Sequence, residues 1–455
     1  MISASPAFLA ANASLQKQPL YAIVIEGYSR IFATFNGTAV GGTPIVDWIV
    51  SIDDHVTTIN DLEGGADLAD LVFNVQDRGQ AITADFATFT FEGKTVRLTA
   101  GFAGMNDADF VTLVTGRIDS IASVNANTEY VFTCPDVRQE LTRYIYGTAD
   151  DGSATDSDHP RTLNGNPLDI LLTALQTEVG LSADAIDVAK IAFYRDTIYP
   201  GLQFQFKITS PPVAKEFIET ELMKPLGAYL WSNSLGQISV NFYYPLSPDP
   251  VIDFNRDNLT EIPEAGVADL INEVSTRFDY DIDDKPQANL VRTDDESIAK
   301  YGLFGALEID ARGLRSGLQG NLIAAHTAFL IFLRYGFKQL AFGGSADNSS
   351  PVSAFWDACL VEPGDIATVT HPQVPDRLNG VMGIAGQTFV VMDRTWHFFE
   401  CTVEFKLLSF DLTPFHHYLI AATGAGNYSS GQRQYVFQTN DSDQYSIGDA
   451  GNTVA

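Results

Sequence analysis

Cysteine is nearly missing: Cys134, Cys359 and Cys401 are the only three in 455 residues. They are too few and too dispersed for a disulfide framework or a CxxC metal site, and an odd count fits reduced, buried thiols. Cationic side chains are also scarce. Against 57 Asp plus Glu stand 27 Lys plus Arg, a formal net charge of −30. Affinity for nucleic acid is largely cation contact with phosphate, so this balance argues against gripping a phosphate backbone: DNA can pass such a surface without adhering. Long apolar runs are missing too. The most apolar stretch, LIAAHTAFLIFL at 322–333, is well short of the ~20 residues needed to cross a bilayer and carries His326, so it reads as a core helix. The first twenty residues, MISASPAFLAANASLQKQPL, lack a basic n-region and a long apolar core, which implies cytoplasmic synthesis. No HExxH, GxSxG, P-loop or GxGxxG followed by a suitable acid occurs.

The chain is well supplied with hydrophobic residues, at 45%, enough for more than one packed core and two to four domains. From Tyr21 to about Tyr146 short β-branched and aromatic runs (YAIVIEG, RIFATFNG, DFATFTFEG, KTVRLTAGF, FVTLVTGRIDSI) stop at Gly, Asn and Asp turns, predicting an all-β domain over 1–149. FEGKTVRL reads as a hairpin turning at Glu92-Gly93, and TGRIDSI as a strand that bends near Gly116. Residues 150–165 form an acidic linker with one sizeable apolar residue, Leu163; without EF-hand spacing or its distal glutamate, a plain solvated loop is preferred to a calcium site.

An α/β module is expected at 166–247. Asn166 can cap a helix, Pro167 suits its first position, and Leu168, Leu171, Leu172, Leu175 and Val179 form one stripe ending at Gly180. Ser210, Pro211 and the stripe Phe217, Ile218, Leu222 repeat the design up to Pro225, and AYLW-SNSLGQ-ISVNFYY reads as a hairpin. A second β domain is expected at 248–418. In NEVSTRFDYD the residues Val274, Thr276, Phe278 and Tyr280 share one face; a helix follows at about 321–335, closed by Gly336. LVEPGDIATVTH at 360–371 is a turn and then a strand, and 388–410 reads as two long strands meeting near His397.

Several phrases in that order resemble the baseplate hub or tail-tip hub proteins of long-tailed bacteriophages: NEVSTRFDYD at 272–281, ESIAKYG at 296–302 followed by LEID and a helix ending Arg334-Tyr335-Gly336, and EPGDIATVTHPQVPD at 362–376 followed by FVVMDRTW. They span roughly 265–410; the first half is similar in order, with GRIDSI, ALQTEVG and AYLWSNSLGQISV. The resemblance implies a mainly β chain with two tail-tube-like β-barrel domains and a small α/β insert. It implies a homotrimer whose six β domains adapt a sixfold tail tube to a threefold tip, since C3 assembly repeats both domains of each chain around one axis. The implied partners are the distal tail protein, the tape-measure protein and tip, fibre or spike proteins, with DNA passing through the lumen unbound. The implied location is the virion, at the tail tip, and the chain is expected to be no enzyme and to need no cofactor. Some tail-tip relatives carry a four-cysteine iron–sulfur site; with three separated cysteines that feature does not transfer.

Candidate chemistry is sparse. In Asp53-Asp54-His55 adjacent residues on a strand point to opposite faces, so a turn cluster is preferred to a carboxylate–imidazole pair. His371, His416 and His417 read as surface or hydrogen-bonded histidines, and Asp294, Asp295 and Glu296 as a solvated turn. Trp231, Tyr243 and Tyr244 read as core or interface anchors before a saccharide-stacking surface. No catalytic, cofactor or metal residue is assigned. The alternatives to a hub are a tail-associated cell-wall glycan hydrolase, which needs a paired-carboxylate cleft, and a receptor-binding adhesin. The tail at 419–455 has too few large side chains for a core, so Tyr435, Val436 and Phe437 are expected to dock on another chain by adding a strand to an exposed edge.

Overall fold

The computed structural model describes residues 1–14, 18–38, 42–147, 161–243, 249–281, 283–303, 305–337, 339–343, 349–376, 380–409, 417–421 and 434–438. The chain opens with a short helix, Pro6–Asn12, whose first turn is held by Ser5 Oγ accepting from Phe8 N at 3.1 Å. Two sheets follow. One runs in the order Val111–Arg117, Thr95–Phe102, Pro19–Ile25, Ile31–Ala33, Pro44–Val46, Gly37–Thr38; the other in the order Ser120–Val124, Glu129–Cys134, Leu71–Gln76, Ile49–Ile52. Alternating side chains put Phe32, Phe73 and Phe132 out of contact with water, the Phe73 ring on Leu71–Gln76 stacked on Phe132 of Glu129–Cys134 at 4.9 Å. The bend expected near Gly116 comes two residues later, where the chain leaves the first sheet at Arg117 and enters the second at Ser120. Gly116 serves the crossing differently: a Cβ there would lie 2.8 Å from the Cys134 carbonyl oxygen.

The expected strand through DFATFTF does not form. Residues Ala81–Asp85 are a helical turn, its amides held by Asp77, which accepts from Ile82 N at 2.8 Å, and the chain then winds irregularly to the turn at Gly93. Phe91 is fully buried against Tyr28 at 4.9 Å and Phe132 at 5.7 Å, so the phenylalanines reach the core without a hydrogen-bonded ladder. Alternation read the burial and missed the backbone.

The third stretch of the chain builds a nine-stranded sheet in the order Ile252–Phe254, Ile366–Asp376, Val381–His397, Thr402–Ser409, Leu340–Phe342, Ala265–Val267, with Val352–Phe355 also on Thr402–Ser409. Two of its nine strands come from the other end of the chain. The hairpin His55–Asn60/Gly65–Leu68 pairs antiparallel with Val381–His397, placing Thr58 opposite Asp393 and His55 opposite Trp396. The two β regions share one continuous core, in which Tyr21 meets Trp356 at 5.6 Å and Phe398 at 5.5 Å and donates its hydroxyl to the Phe398 carbonyl at 2.7 Å. The fold is mainly β with an α/β insert, as expected; among the described residues every sheet order is open-ended, so the expected barrels are not closed.

The insert holds three helical segments beginning at Pro167, Val188 and Ala214, each widening into a π-turn at 174–178, 194–198 and 217–223, and the hairpin Ala228–Ser232/Ile238–Phe242. Arg161–Gly165, expected as the end of the acidic loop, is instead a strand paired antiparallel with Phe204–Ile208, Leu163 opposite Phe206. The single apolar residue of that loop is its attachment to the insert core. Residues 148–160 lie outside the described residues. Glu273–Tyr280 lies between Pro286–Thr293 and Ala306–Ala311 and buries Val274, Thr276 and Phe278 as read, while Tyr280, expected on the same face, is only half-buried and donates its hydroxyl to Asp310 Oδ1 at 2.6 Å. With the helix Gly320–Tyr335, buried on nearly every side, this sheet shares the insert's core through Phe278, Ala311, Leu314, Ile323 and Ala324. Asp294 is no solvated turn: its carboxylate accepts from Ser297 N at 3.0 Å and opens the helix Asp295–Tyr301, with Asp295 and Glu296 in the first turn where the backbone dipole favours them.

Candidate functional site

Three stretches of chain converge on one buried carboxylate. Asp61 follows the strand His55–Asn60 and is 3% exposed; Arg334, on the last turn of Gly320–Tyr335, is 1% exposed and donates Nη1 to Asp61 Oδ2 at 2.7 Å. Arg334 Nε and Nη2 also meet the Tyr243 carbonyl, at 3.1 Å and 2.7 Å, while Tyr335 donates its hydroxyl to Asp61 Oδ1 at 3.0 Å and Tyr243 donates its own to the Asp61 carbonyl. Burial opposes the Arg334 charge, but Asp61 and the surrounding tyrosines outweigh it and its pKa is raised; burial, then Asp61, hold Tyr243 and Tyr335 well above the ordinary tyrosine range. A buried pair so fully hydrogen-bonded fixes geometry more than it adds stability. The next residues tighten the junction. Gly64, at φ +81°, and Gly65 lie against the helical segment at 217–223: a Cβ on Gly64 would collide with the Glu219 carbonyl, and one on Gly65 would lie 2.5 Å from Glu219 Oε1. The Gly64 carbonyl accepts from Leu230 N at 3.0 Å.

A second ionic centre lies along the same hairpin. Arg394 stacks over Trp396 at 3.4 Å and donates Nη1 to the Val361 carbonyl at 3.1 Å; burial pulls its pKa down to about 10, against the pull of Glu362 and Asp365, leaving it charged at neutral pH. Burial raises Glu362, opposed by the Met1 amino group and Arg394. Asp393, beside it, accepts from Thr58 Oγ1 at 2.5 Å and Lys406 Nζ at 3.0 Å.

The sequence candidates fall around these centres without forming a reactive set. Asp54 and His55 point apart as expected: His55 is buried 5.7 Å from the Trp396 ring and its pKa drops to about 3, from burial first and Arg394 second, while Asp54 Oδ2 lies 2.8 Å from His397 Nδ1. His371 is buried, its Nδ1 accepting from Gln373 N at 3.2 Å. Trp231 and Tyr243 are buried anchors. His416 and Tyr244 lie outside the described residues. Among the described residues no group of three or more His, Cys, Asp or Glu is arranged to hold a metal ion, and Cys134, Cys359 and Cys401 form no disulfide. One surface recess, about 590 Å³, runs between the first sheet and the insert, with Arg117 bonded to Glu140 at 3.0 Å; another of about 340 Å³ has Arg312 binding Glu221 at 2.6 Å and Asp284 at 2.9 Å. These carboxylates are tied to a guanidinium, an arrangement that holds loops together. His417–Ala421 and Gln434–Gln438 pair in parallel, setting Tyr418, Leu419 and Ile420 opposite Tyr435, Val436 and Phe437.

Reading the sequence missed the Asp61–Arg334 junction. Its signals are an arginine closing an otherwise apolar helix and the doublet Gly64-Gly65 right after an acidic turn; each is weak until the fold joins them.

No family model and no curated protein matches the chain. Among solved structures it is similar to a tail protein from Neisseria meningitidis (12% identity, TM-score 0.46, 87% of this chain and 97% of that one). It is also similar to a 43 kDa prophage tail protein from Shewanella oneidensis (12% identity, TM-score 0.44, 86% and 98%) and a prophage tail protein from Listeria monocytogenes (11% identity, TM-score 0.44, 86% and 94%). Over most of its length, then, the chain is similar to phage tail proteins.

Proposed function

We propose that this chain is a structural protein of a phage virion, the tail-tip (baseplate) hub, which as a homotrimer joins a sixfold tail tube to threefold tip components and surrounds the DNA exit channel. The observation that carries the reading is the exchange of the hairpin at 55–68 into the sheet of the third region, over a common core. A threefold ring presents six fixed β units only if the two in each chain cannot move against each other, and a shared sheet plus a shared core supplies that rigidity. The acidic balance suits a channel through which phosphate must slide without arrest. Partners on this reading are the distal tail protein and tape-measure protein on one side and tip, fibre or spike proteins on the other.

The strand bearing Tyr435, Val436 and Phe437 is, on the same reading, a docking strand for a neighbouring chain. A two-stranded sheet is marginal alone, and the outer edges of this pair are unpaired among the described residues, which supports strand addition from outside. The test of the whole reading is copy number: mass measurement of purified tails gives three copies per tip, and six copies or one would overturn it. Peptidoglycan zymography of the purified chain gives no lytic band; a band abolished by a single Asp or Glu substitution would replace the hub with a hydrolase.

A further inference from the structure

Where the second ionic centre meets the insert hairpin, a small cavity of about 20 Å³ is lined by all three parts of the chain. From the first β region come His55, Leu71, Leu113 and Cys134; from the insert, Ser232 and Asn233; from the third region, Glu362 and Arg394. Three lining residues carry a buried polar atom with no hydrogen-bond partner in the protein: His55 Nδ1, Ser232 Oγ and Arg394 Nε. Each residue is nearly inaccessible, at 3%, 4% and 4% exposure. Leaving such atoms unsatisfied along one cavity is costly, most of all for the charged guanidinium, and folded proteins rarely carry that cost where a partner fits.

We propose that this cavity is a binding site for one structural water, a three-way bridge between the two β regions and the insert. The volume passes the ~10–15 Å³ that a single water requires and excludes a chain of them. The donor and acceptor inventory closes on water. Arg394 Nε can only donate; Ser232 Oγ donates or accepts; and neutral His55 presents Nδ1 as acceptor or donor according to its tautomer. A water accepting from Arg394 and donating to His55 has a remaining site for the serine hydroxyl. An anion is disfavoured by Glu362 and Asp136 on the walls, and a cation by Arg394. None of this depends on what the protein does in the virion.

The test is crystallographic, on the full chain, with wild type and two variants at a resolution that shows ordered water. Wild type shows one peak within 3.2 Å of all three atoms. Ser232→Ala keeps the peak on two partners, with a raised B-factor; Ser232→Val, whose methyl groups enter the volume, loses it. A wild-type cavity with no peak, or one in which Ser232 or His55 has turned to bond Arg394 directly, overturns the proposal. If Ser232→Val fails to fold, Ser232→Ala decides alone: an unchanged B-factor would show that the serine does not hold the water.

Discussion

At the scale of single residues, the junction of Asp61 and Arg334 makes the sharpest expectations. Replacing Arg334 by Met leaves a carboxylate buried without its cation, and such losses run to roughly 3–5 kcal/mol. Removing both charges in an Asp61→Leu, Arg334→Met double variant should cost less than the sum of the singles, so urea midpoints for the full cycle read out the coupling. Gly64→Ala combines a positive-φ penalty with a collision against the Glu219 carbonyl, and roughly 3 kcal/mol is expected on the same assay. The buried histidines give a pH dependence. Burial lowers His326 to about 4 and His55 to about 3, against 6.5 when unfolded. Folded chains therefore bind fewer protons than unfolded ones below pH 6.5; the stability these residues contribute is whole above that value and is lost as pH falls towards about 4 and 3. At pH 5 each costs roughly 2 kcal/mol. Half-buried Glu219 and Glu221 and buried Glu362, all raised by burial, act in the opposite sense, so the histidine contribution is isolated by difference: the stability lost between pH 7.5 and pH 5 should be smaller in His326→Gln than in wild type.

At the scale of elements, what could be read in advance was whatever repeats within one segment. Val274, Thr276 and Phe278 alternate and are buried; the helix closed by Gly336 and the hairpin around SNSLGQ lie where their patterns and turn residues put them. Segments that reach the core by another route were misread. Phe86, Phe89 and Phe91 pack as an irregular turn, Leu163 anchors a strand where charge suggested a loop, and Asp294 is spent on a helix cap. The candidate site was nearly illegible for a different reason: Asp61 and Arg334 are 273 positions apart, and no local window contains both. The hairpin at 55–68 shows the same blindness, since its own alternation says that it is a strand and nothing about whose. A fragment of residues 1–149 lacks Asp393, Arg394 and Trp396 as partners for that hairpin and Trp356 and Phe398 as partners for Tyr21. It should therefore give no cooperative thermal transition in circular dichroism, whereas an autonomous first domain would melt sharply.

At the scale of the whole molecule, the hub reading separates what folds the chain from what assembles it. Among the described residues the cores run from Ile2 to Leu408, and the strand carrying Tyr435, Val436 and Phe437 pairs with His417–Ala421. Deleting residues 421–455 should leave the melting temperature of the purified protein unchanged while lowering its incorporation into tails. Equal incorporation by the truncated chain, scored by infectivity of complemented particles, would remove the docking strand from the proposal.

The exchanged hairpin also sets a schedule. Thr58 and its partner Asp393 are separated by 335 residues, and at ~5–20 residues per second a ribosome needs roughly a quarter of a minute to a minute to travel from one to the other. Through that interval the hairpin has no strand to lie beside, and the shared core lacks half its walls. A chain terminated before that strand is left with the same gap for good, its unpaired edge open to proteases. Synthesis through Val381–His397 thus becomes a condition for seating the hairpin in its sheet, and on the hub reading chains that stop before it are kept out of the tail.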